Sequence, residues 1–399
     1  MKAAGKVFSA DFATKVISGL LGLVLIRHME SVQFAFFTLG LAAAQLSNQI
    51  LSAGFNRLYL MGVQGLGEKS TRTAFLVLQV SLTTLVNLVL LPILGLPLEV
   101  ATSALALSLS LNALEFVKTI FQKDLAFGKF SMIDFIRSML FAGFISMIVF
   151  GTDKPVEAWF ILTTQAVIVG VVILIPIFQL MPRLRLVDWK HALKLAREIL
   201  ASKYFFLFAY FALVAVFSQV EILMLKMFGG VEEVANYGAA FRYYAILTVG
   251  LGSLHTVLAP MIQEMKTKLE FEKLMREYRR LAYVLMALVL LAICVSGWAI
   301  PLIDKGKYPQ SVAIFRVLAC VSVISLLYSP FVHILIRQEK FNFLIKLTCV
   351  VLTLDVLGNL LLIPFLGPMG AAISLLICSG LFNFSIYKRA KRESIELFR

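Results

Sequence analysis

Asp11, Lys15, Ser18 and Gly22 recur at intervals of four, three and four residues, the spacing that aligns side chains along one face of an α-helix. On an otherwise apolar helix, that stripe must face protein or water. Lys15 lies about 12 Å along the helix by its rise, where it either neutralises Asp11 one turn away or receives an anionic ligand. A second face carries Gln45, Asn48, Gln49 and Ser52. Amides with both donors and acceptors suit a hydroxyl-rich ligand, and interhelical hydrogen bonding is the plainer alternative. Further along, Arg242 is followed by Tyr243 and Tyr244. A guanidinium there can clamp a phosphate in fork geometry while the rings stack on a sugar, unless it reaches outward to the membrane surface. Arg316, at similar depth in a later apolar segment, is a further candidate for binding the substrate, with outward reach to the membrane surface as its alternative.

The acidic candidates form a separate set. Glu221 follows Ser218 and Gln219, while Asp355 and Asn359 lie one turn apart with Thr348 two turns earlier. One or two carboxylates with amide and hydroxyl oxygens suit a hard monovalent cation or a proton. The alternative is plain pairing, Glu221 with Lys226 or Arg242 and Asp355 with Lys346. Arg137 with Asp134, three residues apart, reads as an ion pair near the cytoplasmic surface.

The elements that must position these groups are membrane helices. Of the 399 residues 60% are apolar and 15% charged, against roughly 45–50% and 25% in soluble domains, which excludes a soluble globule. A net charge of +14 does not indicate a nucleic-acid partner, because such proteins carry their charge on a compact polar surface. The four cysteines lie in apolar stretches without CxxC spacing and read as reduced small hydrophobes. Charge-free runs at 31–56, 73–98, 158–182, 281–303 and 317–336 each reach the ~20 residues a bilayer-spanning helix needs. With segments holding one or two charges, twelve spans are predicted: 7–26, 32–55, 73–94, 98–117, 131–150, 156–178, 204–227, 234–260, 281–303, 310–335, 342–364 and 367–387.

Of the 37 Lys and Arg, 27 fall on the side of the termini and 5 on the opposite side, so the positive-inside rule places both termini in the cytoplasm. The chain divides into a six-helix bundle at 1–182, a basic amphipathic linker at 183–203 expected to lie along the anionic interface, and a second six-helix bundle with a short basic tail at 204–399. No extramembrane catalytic domain fits. A polytopic glycan polymerase or glycosyltransferase would need a sizeable loop with carboxylates or histidines, whereas His28, His191, His255 and His333 are scattered.

Four segments carry a resemblance: Thr14 through Arg27; Gln33-Phe-Ala-Phe-Phe-Thr with Ser52-Ala-Gly-Phe; Val234 through Arg242; and Asn359-x4-Pro364-x2-Gly367-x2-Gly370-Ala-Ala372. Together they resemble the polysaccharide-export flippases, the Wzx-type translocases of lipid-linked O-antigen oligosaccharides. Those belong to the superfamily that also holds multidrug exporters and the lipid II flippase. The resemblance implies two six-helix bundles around a central cavity lined by spans 1, 2, 7 and 8, in the bacterial inner membrane. It also implies alternating access for a polyprenyl-diphosphate-linked oligosaccharide, with a Na+ or proton as coupling ion and polysaccharide polymerase and chain-length machinery as partners. Lys15 matches a basic position early in span 1, Arg242 an arginine early in span 8. Glu221, Asp355 and Asn359 lie on spans that carry a cation site in related members. Asp355 stands where an Asn is common, and the usual proline near 201–205 is missing. The rival within the superfamily is a drug or cation exporter, whose site should be acidic and aromatic rather than carry Lys15 and Arg242.

Overall fold

Each apolar run becomes a helix because, in hydrocarbon, a chain must satisfy its backbone hydrogen bonds internally. The computed structural model describes residues 2–60, 69–124, 126–152, 155–180, 189–201, 204–265 and 267–396. The described elements are α1 (Lys2–His28), α2 (Ser31–Leu60), α3 (Lys69–Ile93), α4 (Leu98–Lys123), α5 (Phe127–Gly151), α6 (Ala158–Leu180), α7 (Trp189–Ala201), α8 (Tyr204–Phe217), α9 (Val220–Phe228), α10 (Val231–Glu264), α11 (Lys268–Asp304), α12 (Ser311–Arg337), α13 (Phe341–Leu366) and α14 (Pro368–Glu396). All are α-helices, and eleven of the twelve predicted spans map onto one helix each. Among the described residues nine helices are long and apolar enough to cross a membrane, ten if a bent pair counts as one span.

The bent pair departs from expectation. Span 204–227 is not continuous: it breaks at Ser218-Gln219 and turns by 48° between α8 and α9. Neither proline nor glycine causes it. The Ser218 hydroxyl lies 2.8 Å from the Ala215 carbonyl, and the Gln219 amide bonds the Val216 carbonyl three residues back. A serine that offers its own hydroxyl to the preceding turn bends a helix in this way.

The chain forms two units, Met1–Leu223 and Met224–Arg399. The division falls later than the expected 183–203, because α8 packs on α2, where the rings of Phe55 and Phe208 meet edge to face at 5.2 Å. In the first unit α2 packs on α4, α4 on α6 and α1 on α5; in the second α10 packs on α12 and α12 on α14. The α2–α4–α6 pairing of the first unit thus recurs as α10–α12–α14 in the second.

The helix expected in the linker appears as α7, a little later than its sequence signature; residues 181–188 lie outside the described residues. Its buried side chains Ala192, Leu195 and Ile199 fall at helical spacing, and α7 packs on α3 and α8. Its apolar face is therefore used by protein, while Leu193, Lys194 and Arg197 are exposed.

Large apolar side chains face outward, as a bilayer solvent requires. On α11 the exposed residues Val284, Leu288, Leu291, Val295, Trp298 and Leu302 follow one face for about 27 Å by helical rise, close to the ~30 Å hydrocarbon core.

Candidate functional site

Within the first unit, the amide face of α2 meets the break between α8 and α9. Gln49 Oε1 lies 3.2 Å from the Ser218 hydroxyl, which in turn lies 3.4 Å from Gln219 Nε2. Asn48 and Ser52 are buried and Gln45 and Gln49 half-buried. Glu221, 3% exposed, stands in the first turn of α9, where the unpaired N–H groups of a helix start favour a negative charge. The kink thus brings a hydroxyl, amides and a carboxylate to one region at membrane depth.

The face expected on α1 is less uniform. Lys15 is half-buried, Ser18 exposed and Gly22 buried, while Phe12, Val16 and Leu20 form an exposed apolar row beside them. The side chain of Asp11 lies outside the described residues.

In the second unit, the residues singled out near the start of α10 part company. Tyr243 is buried, its hydroxyl 3.4 Å from Asp304 Oδ2 and its ring edge to face with Phe315, so it packs α10 against α11 and α12. Tyr244 is half-buried against Phe241, and Arg242 is half-buried. Arg316 turns to another neighbour: its Nε donates to Ser296 Oγ of α11 at 3.0 Å, whereas the preceding Phe315 faces α10.

The clearest polar constellation lies between α13 and α14. The buried stripe of α13 is Leu344, Thr348, Val351, Asp355, Asn359 and Ile363. Ser374 of α14 donates to Asp355 Oδ1 at 2.7 Å and also lies 3.2 Å from the Asp355 carbonyl. One turn on, Asn359 is fully buried, with neither amide atom hydrogen-bonded. The helices approach closely because position 358 lacks a side chain: a Cβ there would stand 2.4 Å from Ser374 Oγ. The hairpin between them follows the glycine-proline signature, α13 closing on Gly367 at φ 55° before Pro368 opens α14. Lys346 is exposed on α13. A carboxylate, an amide oxygen and a hydroxyl oxygen at this depth are a set of groups that could hold a monovalent cation, and a buried amide without a hydrogen bond calls for a partner.

Several polar groups gave no sequence signal of function. Asp304 is 1% exposed and accepts from Gly306 N at 2.8 Å besides Tyr243, tying the first half of α10 to the α11–α12 turn. In the first unit an uncharged ladder joins α2, α3 and α4: Gln79 Nε2 donates to Asn56 Oδ1, Asn112 Nδ2 to Thr83 Oγ1, and Ser108 Oγ lies within 3.3 Å of both Ser47 Oγ and Asn87 Oδ1. The four-residue spacing of Gln79, Thr83 and Asn87 is the signal that could have revealed it. Lys118 is buried between Glu115, at 2.9 Å, and Asp134, at 2.6 Å, with Arg137 beyond.

No protein-family model matches the chain, and no curated protein matches it in sequence. The fold is recognised instead. An inward-facing multidrug resistance MATE family transporter of the MOP superfamily superposes with TM-score 0.66 at 13% identity, over 98% of this chain and 94% of that one. The chain has a MATE-type fold. An outward-facing MATE transporter gives 0.63 at 14% identity, over 99% and 96%. A MOP superfamily transporter from Pyrococcus furiosus, described as having a binding pocket of reverse polarity suggesting a different function, gives 0.61 at 14%, over 100% and 96%.

Proposed function

We propose that this protein is a membrane transporter that moves an amphiphilic molecule outward by alternating access, without covalent chemistry. The observation that carries the reading is the set of polar groups held at membrane depth on the helices of a MATE-type fold: Gln49 with Ser218 in one unit, Asp355 with Ser374 and Asn359 in the other. Such groups cost several kcal/mol in hydrocarbon unless they serve a cavity or a ligand. Similar proteins solved in both inward- and outward-facing states supply the two conformations the mechanism needs.

For the cargo, our reading is a polyprenyl-diphosphate-linked oligosaccharide, translocated in the bacterial inner membrane with both termini cytoplasmic. Its lipid tails can remain in the bilayer, while diphosphate and glycan cannot cross unaided. In the first unit Lys15 would meet the diphosphate and Gln45, Asn48 and Gln49 the sugar; in the second Arg242 would meet the diphosphate and Tyr244 the sugar. Tyr243, buried against Asp304 and Phe315, takes no part in this contact. The P. furiosus relative, with its pocket of reverse polarity, supports the idea that this fold accommodates cargo of the opposite sign. The second reading, a multidrug or cation exporter, is favoured by the description of the MATE relatives and by buried Glu221.

Asp355, Asn359 and Ser374 would hold the coupling ion. A bound Na+ or proton offsets the Asp355 charge, and it biases transport only if its affinity differs between the two states. Purified protein in liposomes, offered either a fluorescent polyprenyl-diphosphate sugar or a cationic dye under imposed sodium and proton gradients, separates the readings. Flipping of the former supports ours; accumulation of only the latter supports the exporter.

A further inference from the structure

Arg316 is a cation expected to meet the substrate that the proposed transport path leaves unused, and its surroundings are unusual for a charge. It is exposed on α12, about 8 Å by helical rise from the start of that helix at Ser311. Its neighbours on α11 are Ser296 and Gly297, which the exposed Val295 and Trp298 of the lipid-facing row flank in the chain, and Ala313 and Cys320, one turn to either side on α12, are exposed too. Among the described residues no carboxylate pairs with it.

Its direction is nonetheless fixed. Ser296, 2% exposed, gives its own proton to the Ile293 carbonyl at 2.7 Å, so its oxygen is left to accept from Arg316 Nε at 3.0 Å. Anchoring a guanidinium by Nε leaves the two terminal nitrogens side by side. Room for one of them exists because residue 297 is glycine: a Cβ there would lie 3.0 Å from Arg316 Nη2. The result is an oriented two-pronged donor beside the exposed apolar face of α11, near the turn that joins α11 to α12.

We propose that this face binds a membrane phospholipid, with the phosphate on Arg316 Nη1 and Nη2 and an acyl chain along the α11 row of Val295, Trp298 and Leu302. Bidentate recognition of phosphate is what arginine, rather than lysine, does best, and an exposed tryptophan in that row fits the headgroup level of a bilayer. The exposed apolar row commits the site to a lipid rather than to free phosphate. The occupant is structural or regulatory and distinct from the transported molecule, since Arg316 points away from the α10 side on which Arg242 lies.

The test is native mass spectrometry of the purified full-length protein titrated with phosphatidylglycerol, with phosphatidylcholine and inorganic phosphate as separate arms. Wild-type protein should retain phosphatidylglycerol. Arg316→Gln should weaken retention about tenfold, the worth of one charge-assisted hydrogen-bond pair, and Arg316→Lys should recover part of the loss. Gly297→Val keeps the charge but pushes the guanidinium aside, and should weaken retention as well. The thermal midpoint of each variant shows whether it is folded. Equal retention by folded wild type and Arg316→Gln would overturn the site. So would loss of similar size in Lys346→Gln, which removes an exposed span charge elsewhere, or displacement of the lipid by inorganic phosphate at comparable concentration.

Discussion

Lys123, the last residue of α4, donates from Nζ to the carbonyl of Tyr59 near the end of α2 at 3.0 Å, and stands 4.1 Å over the Tyr59 ring. Arg337, the last residue of α12, repeats the arrangement in the second unit, donating from Nη1 to Ile262 and from Nη2 to Met265 at the end of α10, at 2.8 and 2.6 Å. The last carbonyls of a helix have no partner within it, and a cation satisfies them while complementing the helix dipole. In each half, then, the fourth transmembrane helix closes the end of the second.

Removing these caps should loosen each pair. Arg337→Ala, which loses two charge-assisted bonds to backbone, is expected to cost about 2 kcal/mol, and Lys123→Ala about 1 kcal/mol. Thermal unfolding in detergent checks this; wild-type midpoints for both variants would show the caps to be incidental.

Gly358→Ala should destabilise the α13–α14 hairpin by about 1–3 kcal/mol, since its methyl would collide with Ser374 Oγ. Adding Ser374→Gly to the same chain should recover part of that loss. A strictly additive double variant would place the strain elsewhere.

Much of the fold was legible in the sequence because hydrocarbon leaves the backbone few options. Most span limits differ by only a few residues, and the Pro364–Gly370 turn appears where helix breakers put it. The Ser218-Gln219 break was not legible, since neither residue is a strong breaker and the bend rests on which backbone carbonyls the two residues reach. Asp355 and Asn359 could be placed on one face by spacing, but Ser374, which holds the carboxylate, belongs to another helix with its own register. Arg316 and Arg242 read alike in sequence. Only packing separates them, because residues 315 and 316 point to different neighbours.

If Asp355, Asn359 and Ser374 hold a sodium ion, saturating sodium should raise the thermal stability of the wild-type protein; at a hundred times the dissociation constant the gain is about 2.7 kcal/mol. Asp355→Asn and Asn359→Ala should lose most of that gain while remaining folded in potassium. A proton as coupling ion gives no sodium effect, and transport should then follow the imposed pH gradient. Insensitivity to both ions in wild-type protein would remove the coupling role.

The cargo is tested most directly by scrambling assays in liposomes, with a fluorescent polyprenyl-diphosphate oligosaccharide in one leaflet and wild-type protein compared with Lys15→Ala/Arg242→Ala. Wild-type protein is expected to carry the lipid across, and the folded double variant to do so at least about tenfold more slowly, the loss from removing charge-assisted phosphate contacts. Undiminished movement of the glycolipid by the double variant, or movement of a cationic dye alone by the wild type, would contradict the assignment of an anionic, lipid-linked cargo.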